Sequence, residues 1–283
     1  MPAHQAFPVA LEDARLAAFV EPMSIAVRTV VRGRVEADEH VLVLGAGPIG
    51  QAVAIAALDR GAKVLLVDRV ARRLERSASG ADLAVAGEGD DLEAGTREWT
   101  GGELPEVVVE ATGAKEPMRL ALDLVAAAGR IVVVGLSGHD VPFRVGALPF
   151  RELDVLGVSC CQAHEFAAAA ELVTRHRDAV APLLTHEFSL EEAPQAIAFA
   201  IKHPADVMKA VVHVNVIAPG PIKTRIAGGV TPEGERQWAA LVPLGRMGEP
   251  DELKGLALLL ASPASSTASA WESSLQLRRS QSA

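Results

Sequence analysis

Three glycines and one aspartate are the residues whose types and spacing could do chemistry here. Val41-Leu42-Val43-Leu44-Gly45-Ala46-Gly47-Pro48-Ile49-Gly50 runs from an apolar stretch into a glycine turn, and Val64-Leu65-Leu66-Val67-Asp68 ends a second apolar stretch in an acid. A Gly-x-Gly-x-x-Gly turn between a strand and a helix, with an acid at the tip of the next strand, is a cradle for a dinucleotide. Gly45 allows the tight turn out of the strand. Gly47 has no side chain, so a pyrophosphate can approach the backbone. Gly50 lets the following helix pack closely on the sheet. The phosphates would sit on the free N–H groups and positive dipole end of a helix beginning near Pro48 and Ile49. Pro48 suits a first turn, because its missing N–H would have no partner there. Asp68 lies 23 residues after Gly45, where a carboxylate accepts both ribose hydroxyls. The plain alternative is an apolar strand-turn-helix with chance glycines. The coincidence of motif, context and Asp68 favours the cradle.

An acid at position 68 repels a 2′-phosphate, so NAD is expected rather than NADP. Arg69, Arg72 and Arg73 follow closely. An arginine there could accommodate a 2′-phosphate; the bland reading is a solvated helix face.

The elements that must position these residues are legible as alternating strands and helices. Strands are expected at 40–45, 63–68, 82–86, 107–113, 131–135 and 153–159. Helices are expected over 16–34 (broken at Glu21-Pro22), 48–60, 70–79 (closing at Gly80), part of 87–103, 116–128 and 165–177. Strands apolar throughout imply a parallel sheet covered on both faces. The fold class is therefore α/β, a doubly wound parallel sheet, with a partial second lobe. Ligands of such sheets lie at the carboxyl ends of the strands. Gly45 to Gly50, Asp68, Thr112-Gly113 and Gly135-Leu136 are all expected at that end. Further on, 183–190 reads as extended, 191–202 as helical and 208–214 as a strand.

A net charge of −9 argues against a nucleic-acid partner, which needs a basic face. The uncharged run 41–58 nears membrane-span length, but its glycines and Pro48 divide it, so no membrane segment is expected. Met1-Pro2-Ala3-His4 shows no signal-peptide pattern, which points to a cytoplasmic protein. The two cysteines, Cys160 and Cys161, are adjacent and expected in or beside a buried strand as small hydrophobes. His139, His164, His176, His186 and His203 show no ligand spacing and read as surface residues. There is no tyrosine.

Residues 7–214 resemble the C-terminal two-thirds of a zinc-dependent medium-chain alcohol or polyol dehydrogenase. The resemblance rests on Val20-Glu21-Pro22-Met23-Ser24-Ile25-Ala26-Val27, the glycine turn, Val109-Glu110-Ala111-Thr112-Gly113 and Gly129-Arg130-Ile131-Val132-Val133-Val134-Gly135. It continues through Thr185-His186-Glu187-Phe188-Ser189-Leu190-Glu191-Glu192-Ala193 and Val207-Met208-Lys209-Ala210-Val211-Val212. It implies hydride transfer between a small-molecule secondary alcohol and NAD, with zinc polarising the alcohol. It also implies that the metal-binding domain would precede residue 7, so the zinc ligands are expected to be absent. Glu21 is the one residue near the place of the family's metal. Its alternative role is a charged residue at a helix start. Without the metal domain an apolar patch would be exposed, a surface for assembly into a homo-oligomer or for aggregation.

Residues 215–266 resemble a different family. Asn215-Val216-Ile217-Ala218-Pro219-Gly220-Pro221-Ile222-Lys223-Thr224 and Pro243-Leu244-Gly245-Arg246-Met247-Gly248-Glu249-Pro250-Asp251-Glu252-Leu253 look like the late part of a short-chain dehydrogenase. The resemblance places Thr224 beside a nicotinamide. That family's chemistry uses a Tyr-x-x-x-Lys pair, which a chain without tyrosine lacks. The expected organisation is a linker helix over 1–36, as a remnant of a catalytic domain, and an NAD-binding domain over 37–178. A second catalytic-domain remnant spans 179–214, the short-chain fragment 215–266 and a disordered tail 267–283. The implied function is an NAD-dependent oxidoreductase crippled by loss of its metal domain. The alternatives are a non-catalytic NAD-binding protein or a fused or truncated gene product.

Overall fold

Unbroken Val and Leu runs can be buried on both faces only if helices cover the sheet on both sides. The computed structural model, which describes residues 13–86, 92–138, 140–189 and 191–212, has that arrangement. Its elements begin with α1 (Ala14–Ala17), α2 (Val20–Arg32), β1 (His40–Leu44), α3 (Pro48–Asp59), β2 (Lys63–Asp68), α4 (Ala71–Leu74) and β3 (Asp82–Val85). They continue with α5 (Leu92–Thr100), β4 (Val107–Glu110), α6 (Lys115–Leu124), β5 (Arg130–Val133), α7 (Ala147–Arg151) and β6 (Asp154–Gly157). The last are α8 (Ala163–Arg175), α9 (Arg177–Val180), β7 (Leu184–Phe188), α10 (Ala193–Lys202) and β8 (Lys209–Val212).

Six strands form one sheet in the order β3-β2-β1-β4-β5-β6, and every pairing is parallel. The chain runs outward from β1 to β3 and restarts at β4 on the other side of β1. The strand tips of β1 and β4 therefore flank the switch point, where open α/β sheets bind ligands. One face carries α2, α3 and α8 over Val41, Val43, Leu66 and Val109. The other carries α5, α6 and α7 over Leu42, Leu65, Val108 and Ile131. Phe19, the N-cap of α2, and Met23 on α2 are wholly buried, each worth roughly 1.5–3 kcal/mol of transfer free energy. Arg28 of α2 donates to the buried Glu165 of α8 at 3.0 Å. Glu165 also accepts the Gln162 N–H at 2.7 Å, closing a capping box. β7 and β8 pair as a separate two-stranded sheet.

Several expectations need correction. The helix expected over 70–79 is only α4. Ser77 and Ser79 share a hydroxyl contact at 3.1 Å, Ser79 accepts the Ala81 N–H at 3.3 Å, and these local bonds compete with helix propagation. Glu21-Pro22 does not break its helix. The break falls at Ala18-Phe19, and Pro22 sits in the first turn of α2, where an N–H would be unpaired anyway. The helix expected over 116–128 stops at Leu124. Arg151 donates to the carbonyls of Leu122, at 2.7 Å, and Val125, so the chain leaves the helix there. α7 was not foreseen. The cysteines are not strand residues: β6 ends at Gly157, Cys160 is exposed with φ 55°, and Cys161 is half-buried. The short-chain-like stretch 215–266 with Thr224, the tail 267–283 and His139 lie outside the described residues.

Candidate functional site

The glycine turn is built as its spacing requires. β1 ends at Leu44, and Gly45 takes φ +106°, a conformation that side chains rarely adopt. Its N–H bonds back to the Val67 carbonyl of β2 at 2.7 Å. A Cβ on Gly50 would lie 1.7 Å from the Gly45 carbonyl oxygen, so α3 presses directly on the turn. Gly47, by contrast, faces open space, with nothing within 4 Å of where its Cβ would be. Pro48 opens α3, and Ile49 and Gly50 occupy the next positions of its first turn. Their N–H groups have no helical acceptor.

Asp68 is only 8% exposed. Its carboxylate accepts the Ala46 N–H at 2.8 Å and the Val70 N–H at 2.8 Å, and Arg73 lies 3.5 Å away. Tip of β2 and glycine turn are thus one unit. Gln51 of α3 donates to the Arg73 carbonyl at 3.1 Å and fixes α4 beside it.

A cavity of about 910 Å³ opens at the tips of β1, β2 and β4. Gly45, Asp68, Arg69, Arg73 and Thr112 line it, together with Leu120 and Asp123 of α6 and Arg151 of α7. Gly113 and Gly135 meet behind this wall: a Cβ on Gly135 would lie 2.2 Å from the Gly113 nitrogen. Leu136 is next to them and 72% exposed. Every expected cofactor residue therefore gathers at the carboxyl end of the sheet. Gly47, Pro48, Ile49, Gly50, Gly113, Gly135 and Leu136 do not line the cavity.

Sequence reasoning missed Glu110. This carboxylate, 1% exposed, ends β4 and accepts the N–H groups of Thr112 at 2.8 Å and Gly113 at 3.0 Å, and the Thr112 hydroxyl. It shapes the turn that carries Thr112. The available signal was a charged residue ending an all-valine strand. Nothing in the sequence marked Arg151 or Asp123, because they reach the cavity from distant helices.

The metal reading fares differently. Glu21 is an exposed residue of the first turn of α2, and its carbonyl accepts the Ser24 hydroxyl at 2.7 Å. Burial pushes the Cys161 thiol up, against the opposing hydrogen bond to Ser24. Among the described residues, no three His, Cys, Asp or Glu side chains gather as a cation site. These residues do not fit a catalytic zinc, which needs three protein ligands. Of these histidines, His176 pairs with Asp59 at 2.7 Å, and His186 and His203 make tilted ring contacts with Phe199 at centroid distances of 4.9 and 4.4 Å.

Residues 48–175 match the family model described as zinc-binding dehydrogenase. That stretch contains α3, Asp68 and five of the six strands of the sheet, β2 to β6. Residues 48–175 belong to the zinc-binding dehydrogenase family. Two curated proteins are similar along most of this chain. One is rat sorbitol dehydrogenase, 34% identical over 65% of this chain and 53% of its own. Another is the 2-dehydro-3-deoxy-L-galactonate 5-dehydrogenase of Pseudoalteromonas atlantica, 32% identical over 72% of this chain and 59% of its own. Among solved structures, the short chain alcohol dehydrogenase of Escherichia coli CFT073 complexed with cofactor NADH superposes with a TM-score of 0.63. It is 26% identical, over 72% of this chain and 60% of that one. The chain spans little more than half the length of the curated relatives it matches. Residues 198–272 match a second model, described as enoyl-(acyl carrier protein) reductase. Among the described residues, no helix is long and apolar enough to cross a membrane.

Proposed function

We propose that this chain binds NAD at the carboxyl end of its six-stranded sheet and belongs to an oxidoreductase acting on a secondary alcohol of a polyol or sugar acid. The observation that carries the reading is the buried Asp68 carboxylate locked 2.8 Å from the Ala46 N–H, beside a Gly47 with open space in front of it. Asp68 would accept the adenosine ribose hydroxyls. The Ile49 and Gly50 N–H groups and bare Gly47 would receive the pyrophosphate. Thr112, Gly113, Gly135 and Leu136 would border the cofactor beyond it. Bound NAD would supply a hydride acceptor. The chain's own residues bind and orient it and keep the 2′ position beside a negative charge, which favours NAD over NADP. Sorbitol- and galactonate-type relatives motivate the substrate class.

A second reading rests on the missing ligand cluster. Among the described residues no three His, Cys, Asp or Glu side chains gather, an arrangement that would suit NAD binding without turnover. Calorimetric titration with NAD separates these readings from failure of both. Saturable binding with polyol-dependent NADH formation supports the enzyme, and binding without turnover supports the second reading. No heat of binding removes both.

A further inference from the structure

The loop between α10 and β8 reaches the arginines that follow Asp68. Asp206 forms an ion pair with Arg72, and the Pro204 carbonyl accepts from Arg73 Nη2 at 3.1 Å. The other end of the same Arg73 guanidinium faces Asp68 at 3.5 Å. The loop is itself a closed turn: the Asp206 and Val207 N–H groups bond to the His203 carbonyl at 3.0 and 3.2 Å. His203 also faces Asp206 at 3.9 Å. Arg69 alone of the three arginines makes no hydrogen bond or ion pair with a described residue, and it lines the cavity.

A 2′-phosphate is recognised by guanidinium groups free to turn toward it. Here two of the three are engaged by one turn: Arg73, which lines the cavity, and Arg72, which stands outside its lining. We infer that the His203–Asp206 turn is a specificity element for the cofactor: by engaging Arg72 and Arg73 it withholds them from a 2′-phosphate and so reinforces the preference that Asp68 sets. The inference rests on the dinucleotide reading of the same site.

The test is the ratio of NADPH to NADH dissociation constants, measured by titration of the full chain. Asp206→Ala frees Arg72, and an exposed pairing of this kind predicts a ratio about three- to fivefold lower than in the parent. Adding Arg72→Ala to that variant is expected to restore the parent ratio. Asp206→Asn, which keeps the turn's shape while removing its charge, is expected to shift the ratio in the same direction as Asp206→Ala. A loss of turn structure alone would weaken both cofactors together and leave the ratio unmoved. An unchanged ratio in both Asp206 variants of a chain that binds NADH overturns this inference and leaves the cofactor site standing. A parent chain that binds neither dinucleotide overturns both.

Discussion

Gly47 and Gly50 stand three residues apart in one motif, yet the structure assigns them different failures on substitution. A Cβ on Gly50 would sit 1.7 Å from the Gly45 oxygen and 2.9 Å from its carbonyl carbon. Relieving that overlap requires α3 and the turn to part by roughly 1.5 Å, given ordinary contact distances. α3 cannot retreat freely, because Ala52, Val53, Ala54 and Ile55 are buried almost completely. Gly50→Ala is therefore expected to cost about 3 kcal/mol, at the upper end for overpacking. In a chain of this size that lowers Tm by roughly 6–12 °C. At Gly47 the Cβ meets nothing, and φ −71° with ψ −179° suits any residue. Gly47→Val should change stability by less than about 1 kcal/mol. It should nevertheless weaken NADH by about tenfold or more, equivalent to about 1.4 kcal/mol, because the side chain fills the space the pyrophosphate would take. Thermal unfolding by circular dichroism and NADH fluorescence titration, run on both variants, give four numbers. Wild-type NADH affinity in Gly47→Val would refute the bare-backbone role. Wild-type melting in Gly50→Ala would refute the packing argument.

Other outcomes follow from single contacts. Asp68→Ala should lower NAD affinity at least about tenfold and destabilise by about 1–3 kcal/mol, since the Ala46 and Val70 N–H groups lose their acceptor; calorimetry and urea unfolding check the two effects. Glu110→Ala strands the N–H groups of Thr112 and Gly113 and should cost about 2–4 kcal/mol, read from the urea midpoint. Burial pushes the Asp59 carboxyl up, but the hydrogen bonds from His176 and Arg175 outweigh it and hold it below the ordinary carboxylate range. The pairing therefore stabilises the fold above the unfolded pKa of about 3.9 and is lost as pH falls below it. Asp59→Asn should flatten the acid limb of stability against pH; an unchanged limb contradicts the pairing. The raised Cys161 thiol predicts that a Cys160→Ser variant reacts with iodoacetamide more slowly than a Cys161→Ser variant at neutral pH.

Much of this fold was readable because its signals are local. β1, β2 and α3 fall within a residue of expectation, since long apolar runs and glycine punctuation mark their ends. The same locality made Gly45, Gly50 and Asp68 legible: each role depends on a neighbour one turn or one strand away. What escaped depends on contacts distant in sequence. Arg151 caps the end of α6 by taking the carbonyls of Leu122 in its last turn and of Val125 just past it, from 29 and 26 residues away. Ser77 and Ser79 cut α4 short through hydroxyl bonds that periodicity does not register. The grip of Pro204 and Asp206 on Arg73 and Arg72 spans more than 130 residues and leaves no pattern in the chain. The cysteines misled because residue type suggested burial, while the backbone at Cys160 turns outward at positive φ.

The most direct test of the central claim is a crystal structure of this chain grown with saturating NADH. The account predicts the adenosine ribose on the Asp68 carboxylate and the pyrophosphate over Gly47, against the N–H groups of Ile49 and Gly50. A nucleotide bound elsewhere, or crystals with that cleft empty, would contradict it.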